Sequence, residues 1–90
     1  MRHLEKTNKF VKDYELAKRR GNNLEKLAIV LELILNNRAI PAHYRNHRLK
    51  GKYKDCMELH IEPDLLLVYR FLQDGGVVLE RMGSHSDLFK

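Results

Sequence analysis

The hydrophobic period of this chain changes once, at Asp55, and that change divides the fold. Before it, apolar residues recur at helical spacing. After it they alternate with a period of two, so a helical part is followed by a strand-rich part. Residues 2–7 read as a short opening strand. Thr7 or Asn8 can cap the helix that follows, whose Phe10, Val11, Tyr14 and Ala17 share one face. Gly21 ends it, and Asn22 or Asn23 caps a second helix. There Leu24, Leu27, Ala28, Leu31, Ile34 and Leu35 follow helical spacing, while Ile29, Val30 and Leu33 widen the stripe. A helix so apolar packs on a sheet and on something further, either the first helix or a partner protein. Asn36-Asn37 and Pro41 end the helical part.

Beyond Asp55, Met57, Leu59 and Ile61 fall on one face of a strand and Cys56, Glu58 and His60 on the other, so His60 points away from the core. Pro63 stops that strand. Residues 65–71 read as a central strand covered on much of both faces, and Asp74-Gly75-Gly76 forms a tight hairpin into Val77–Met82. Ser84 with Asp87 three residues later resembles a capping pair, which places His85 in a short terminal helical turn. The expected class is α+β.

At 90 residues the chain has room for one domain, residues 1–90, with one modest core. Its 43% apolar and 32% charged residues are those of a compact soluble protein. Cys56 is the single cysteine, which excludes an internal disulfide and a cysteine metal cluster and fits a reducing cytosol. The charged N-terminus lacks an apolar signal core and no segment is long enough to span a membrane, so the expected location is the cytoplasm. Net charge is +5, and no acid occurs between Glu32 and Asp55. Arg38, Arg45, Arg48, Lys50, Lys52 and Lys54 lie in that stretch and present a surface for a polyanion, nucleic acid first.

Three imidazoles, a carboxylate and an arginine then stand in short signatures: His47-Arg48-Leu49-Lys50-Gly51, His60-Ile61-Glu62-Pro63-Asp64 and Arg81-Met82-Gly83-Ser84-His85, with Phe89 close behind. Together they suffice to move protons around a phosphodiester and hold its developing charge. Each has a plainer reading. His47 reads equally as a surface loop histidine, and Asp64 can orient His60 or cap the turn. Arg81 shares a strand face with Val77 and Leu79, which calls for a carboxylate or an anion. Phe89 can be the plug that docks the terminal turn. His43 and His47 have the spacing of helical metal ligands, but Pro41 and the neighbouring arginines argue against a metal site.

These signatures resemble the RelE superfamily of toxins from bacterial toxin-antitoxin pairs, its YafQ-type branch above all, and the likeness runs nearly end to end. It implies a fold similar to microbial ribonucleases, with a small curved antiparallel sheet backed by two N-terminal helices. It also implies cleavage of messenger RNA in the ribosomal decoding site, without cofactor. The family's functional positions fall on His47, His60, Asp64, Arg81, His85 and Phe89. The implied reaction is attack of the ribose 2'-hydroxyl on its own phosphorus, expelling the 5'-oxygen of the next nucleotide. On this reading Arg81 stabilises charge, His85 donates the proton to the leaving oxygen, and His60, supported by Asp64, is the base. His47 positions phosphate or shares proton transfer, and the acid and base assignments are exchangeable; Phe89 supports the site or stacks on a base, and Arg45, Arg48, Lys50, Lys52 and Lys54 bind RNA. The expected partners are the ribosome with its message and an acidic, DinJ-like antitoxin, with operator DNA reached only through the antitoxin complex. Tyr53 stands where relatives often have tryptophan, and Met57 where they often have arginine. The alternative is a non-catalytic relative that acts by binding, as ParE-type gyrase inhibitors do.

Overall fold

Side-chain caps fix where both long helices begin. In the computed structural model, which describes residues 1–89, the Thr7 hydroxyl accepts from the Phe10 N–H and opens α1 (Asn8–Arg19). The Asn23 side chain accepts from the Glu25 N–H and opens α2 (Leu24–Leu35). Each cap satisfies one of the amide donors that a helix start leaves without a partner. Between the helices the chain turns at Gly21, as its place in the sequence requires.

Five strands form one sheet: β1 (Leu4–Lys6), β2 (His47–Arg48), β3 (Met57–Glu62), β4 (Leu65–Phe71) and β5 (Val77–Gly83). Their order is β1-β5-β4-β3-β2. β4 is central as expected, and Leu65 to Tyr69 are all buried. Pro63-Asp64 turns β3 into β4, and Asp74-Gly75-Gly76 turns β4 into β5. The sheet is mixed rather than antiparallel throughout, because β1 lies parallel to β5, with Leu4 opposite Val77 and Lys6 opposite Leu79. A parallel neighbour needs a crossover, and the two helices that follow β1 carry the chain away from it before β5 returns alongside.

Helices cover one face of the sheet. Phe10 and Ala17 of α1 and Leu27, Val30 and Ile34 of α2 pack there against Leu59, Leu67, Tyr69, Leu79 and Met82. Val11 and Ile29 remain about half exposed, so the sheet and the other helix do not cover all of the apolar helical surface. On the opposite face Cys56, Leu66 and Val68 form a second cluster, closed by Leu88 of the terminal helix α3 (His85–Leu88). Leu49 and Tyr53, from the loop between β2 and β3, flank that cluster. Among the described residues no helix is long and apolar enough to cross a membrane.

Two register shifts re-aim side chains. Ile61 is the extra residue of β3, and Glu80 that of β5. Past Glu80 the alternation reverses, so Arg81 lies opposite Val68 rather than on the Val77 and Leu79 face that simple alternation assigns it. The bulge moves the guanidinium to the face opposite the α1 and α2 core.

Candidate active site

Cross-strand register assembles the site on that face. One row across β2, β3, β4 and β5 reads His47, Glu58, Val68, Arg81, and the next reads His60, Leu66, Gly83. Neighbouring strands lie about 4.8 Å apart, so residues far apart in sequence become neighbours here. Ser84 and His85 continue directly from the end of the second row. His60 consequently sits between two other imidazoles, with ring centroids 6.5 Å from His47 and 5.9 Å from His85.

Glu58 is central to this group, a role that its place on the polar face of β3 does not announce. It is 3% exposed, and one oxygen, Oε1, lies 3.4 Å from His47 Nε2 and 3.8 Å from His60 Nε2. A buried carboxylate is costly unless paired, and here the two imidazoles are what face it. His47 is held from its other side, where Nδ1 donates to the Arg45 carbonyl at 2.7 Å. It belongs to a short strand paired with β3, not to a free loop. The Tyr69 hydroxyl, rooted in the core, donates to Asn46 Oδ1 at 2.7 Å and ties this segment down. Leu49 anchors the following residues, and Gly51 takes a φ of +68°, a conformation that favours glycine, which accounts for the spacing of His47, Leu49 and Gly51.

Asp64 attends His85 and not His60. Its Oδ1 accepts from the His85 backbone N–H at 3.2 Å and lies 3.7 Å from His85 Nδ1. The reason is the turn: Asp64 follows the end of β3 and points across to the start of α3, while His60 lies within the strand beside Glu58. Met57 lies on the helix face, packed against the main core, and so stands apart from the histidines.

Arg81 is paired with Asp13 of α1. Its Nε donates to Asp13 Oδ2 at 2.7 Å and a terminal nitrogen donates to Oδ1 at 3.1 Å. The Asp13 hydrogen bonds hold the guanidinium proton far more tightly than usual, against the opposing effect of burial. Tyr53 flanks the guanidinium as well, and the Tyr53 ring meets Phe89 edge-on at 6.0 Å. Phe89 in turn lies 6.0 Å from His85. Through Tyr53 and Phe89, Arg81 adjoins the histidine group. The plug of the terminal turn is Leu88, not Phe89, which is 41% exposed.

The terminal turn carries His85, so its cap positions the site. Ser84 and Asp87 form a reciprocal capping box. Asp87 also takes the Arg20 guanidinium at 2.7 Å. A Cβ on Gly83 would come within 2.9 Å of Asp87 Oδ2, which explains a glycine just before Ser84. Arg20 first, then the Ser84 backbone N–H, hold the Asp87 carboxyl well below the ordinary range. A lowered carboxylate stabilises the fold above its unfolded value and loses that contribution as pH falls toward its folded one. Asp87→Ala is expected to lower the melting temperature by about 4–8 °C at neutral pH, the shift for roughly 1 kcal/mol in a domain of this size. Circular dichroism melts at falling pH should show the gap narrowing once the pH drops below the usual carboxylate range. A gap independent of pH would refute this account of Asp87.

Beside the histidines opens a cleft of about 490 Å³ lined by His43, Arg45, His60, Ile61, Glu62, Pro63 and His85. Arg45, Arg48, Lys50, Lys52 and Lys54 are all exposed, and none of them joins an ion pair among the described residues. They form a free positive border along the β2 edge. Burial pushes the Cys56 thiol up, which makes it a poor nucleophile. Imidazoles backed by carboxylates, with an arginine and a basic border, can bind a phosphodiester and transfer protons at it.

Comparison with known proteins agrees with the fold. Residues 2–90 match the family described as "Bacterial toxin of type II toxin-antitoxin system, YafQ". The mRNA interferase toxin YafQ of Escherichia coli K12 is 37% identical over 89 residues, 98% of this chain and 96% of that protein. A putative YafQ toxin of Haemophilus influenzae is 35% identical over 86 residues, 89% of this chain and 84% of that protein. A solved E. coli DinJ-YafQ toxin-antitoxin complex contains a chain that is 37% identical, with a TM-score of 0.89 covering 99% of this chain and 98% of that one.

Proposed function

We propose that this chain, which belongs to the YafQ family of bacterial toxins of type II toxin-antitoxin systems, is an endoribonuclease that cleaves messenger RNA in the ribosomal decoding site by side-chain acid-base chemistry. The observation that carries the reading is His60 set between His47 and His85, on the sheet face to which the β5 bulge also turns Arg81. A protein acting only by binding a target such as gyrase has no use for three imidazoles gathered beside a buried carboxylate.

In the reaction, a ribose 2'-oxygen attacks the adjacent phosphorus as its proton passes to His60. The phosphorus–5'-oxygen bond breaks, and His85 gives a proton to the departing oxygen, leaving a 2',3'-cyclic phosphate and a 5'-hydroxyl. Glu58, rather than Asp64, orients His60 and His47. Asp64 orients His85 through Nδ1 and leaves Nε2 for the leaving oxygen. Arg81 stabilises the charge on the phosphoryl oxygens. Phe89, exposed beside His85, offers its ring to a base. The five cations from Arg45 to Lys54 hold the RNA backbone.

The partner that restrains this activity is an acidic, DinJ-like antitoxin, as the complex of the E. coli relative suggests. The basic border and the half-exposed Val11 and Ile29 give it charge and apolar surface to cover. Operator DNA is reached through that complex, and the place of action is the cytoplasm, where ribosomes translate. The test is to incubate the protein with programmed ribosomes and map new 5'-hydroxyl ends. Cuts within the decoding-site codon are expected for the wild type and for Lys6→Ala, with strong loss in His85→Ala and Arg81→Ala. Equal cleavage by all four proteins would reject the assignment.

A further inference from the structure

We propose that Asp13 is a positioning residue for Arg81: its carboxylate grips one edge of the guanidinium and leaves the other aimed at the scissile phosphate, so that α1 sets the geometry of charge stabilisation. This rests on the reading of Arg81 given above.

The stereochemistry of the pair separates two edges of the guanidinium. Asp13 occupies Nε and one hydrogen of a single terminal nitrogen, 2.7 and 3.1 Å away. Arginine has five N–H donors in a fixed plane. Three are left by Asp13, with the Tyr53 hydroxyl beside the guanidinium; two of them, one on each terminal nitrogen, form an end that matches two oxygens of a phosphoryl group. The grip therefore does not consume the fork that the chemistry needs.

Asp13 is itself anchored to the strand that carries Arg81. Its Oδ2 also accepts the Met82 N–H at 3.0 Å, so the carboxylate is fixed to the β5 backbone one residue beyond the arginine. Pairing between β1 and β5 reaches only as far as Lys6 and Leu79, which leaves the outer edge of β5 open beyond that point. α1 takes over that edge. The Thr7 N–H donates to the Leu79 carbonyl at 3.1 Å, the Thr7 hydroxyl to the Glu80 carbonyl at 2.8 Å, and Asp13 takes the next free amide. The bulge at Glu80 and the cap of α1 are thus parts of one arrangement that ends at Arg81. The Asp13 side chain is 12% exposed and that of Arg81 20%, so water competes little for the grip. An arginine fixed in advance loses less freedom when charge develops on phosphorus.

A plain structural ion pair between α1 and β5 would give the same contacts, and kinetics separate the two roles. Asp13→Asn keeps the shape and an acceptor for Met82 but turns an amide NH2 toward a donor. Single-turnover cleavage of ribosome-bound message should be measured for wild type, Asp13→Asn, Arg81→Ala and the double variant, with melting curves alongside. Asp13→Asn is expected to lower the saturated rate by about 10- to 100-fold with the half-saturating concentration unchanged. In the Arg81→Ala background the same change should have almost no effect, because its target is gone. An Asp13→Asn protein as fast as wild type beside an impaired Arg81→Ala overturns the positioning role. Equal losses in both backgrounds overturn it too, since Asp13 would then act through the fold. Should Asp13→Asn melt below the assay temperature, Asp13→Glu takes its place: it keeps the charge but misplaces it by one methylene, and an unchanged rate overturns the proposal. Wild-type rates in Arg81→Ala would instead refute the role of Arg81 itself.

Discussion

Alanine at Arg81 is expected to slow message cleavage by about 100- to 1,000-fold, the usual cost of removing a donor aimed at developing charge. The loss should fall on the saturated rate more than on half-saturation, because on the proposed reading the exposed cations from Arg45 to Lys54 still hold the RNA backbone. Arg81→Lys should recover little, since a single ammonium nitrogen cannot grip Asp13 along one planar edge and present a second two-nitrogen edge to phosphate. Removing the guanidinium also leaves the Asp13 carboxylate without its cation, although the Met82 amide still donates to it. Melting curves therefore accompany the rates, so that activity is compared among folded proteins. Cleavage within about twofold of wild type, judged against the additivity expected of uncoupled sites, would remove Arg81 from the chemistry. Full recovery by lysine would reduce its role to a point charge.

Local sequence carried much of this fold because caps, turns and periodicity are local events. Thr7, Asn23, Gly21 and the Ser84 and Asp87 box all act within a few residues, and each stands at the helix end where its type places it. The strand at residues 65–71 was legible for the same reason: a run buried on both faces needs no partner to be recognised. What local reading missed depends on pairing between distant segments. The parallel course of β1 follows from a crossover that no single segment encodes. Strict alternation puts Arg81 on the wrong strand face because it cannot reveal the extra residue at Glu80.

The candidate site shows the same division. His60, Asp64, Arg81 and His85 are legible as types suited to phosphodiester chemistry, whereas His47 and Phe89 depend most on the family resemblance, and the fold gathers all six around one end of the sheet. Their partners are not legible. Glu58 was read as a polar-face residue of its strand, and nothing nearby in sequence says that β2 will cover it with His47. Asp13 is 68 positions from Arg81, within a helix whose charged residues otherwise look like solvated surface. The nearest sequence clue was Arg81 itself, whose place in a strand demanded a carboxylate or an anion. Asp64 was assigned to His60 by proximity along the chain, whereas the turn delivers it to His85. On the proposed mechanism each of these histidines has its own carboxylate, Glu58 beside the base His60 and Asp64 beside the acid His85.

That division yields the second large effect. His85→Ala is expected to slow cleavage by about 100- to 10,000-fold, the range for loss of a positioned acid or base, and the His60→Ala loss should be similar. Rate alone does not separate the roles, but the leaving atom does. A message with sulfur in place of the bridging 5'-oxygen at the cut site departs as a thiolate, whose conjugate acid has a pKa of about 8.5 and needs no proton donor. On the proposed mechanism His85 offers Nε2 to that atom, since Nδ1 faces Asp64 3.7 Å away. On the sulfur-bridged message His85→Ala should therefore regain most of the wild-type rate, while His60→Ala stays slow because its 2'-hydroxyl still keeps its proton. Rescue of His60→Ala instead would exchange the two roles. Rescue of neither would show that His85 does not protonate the leaving group.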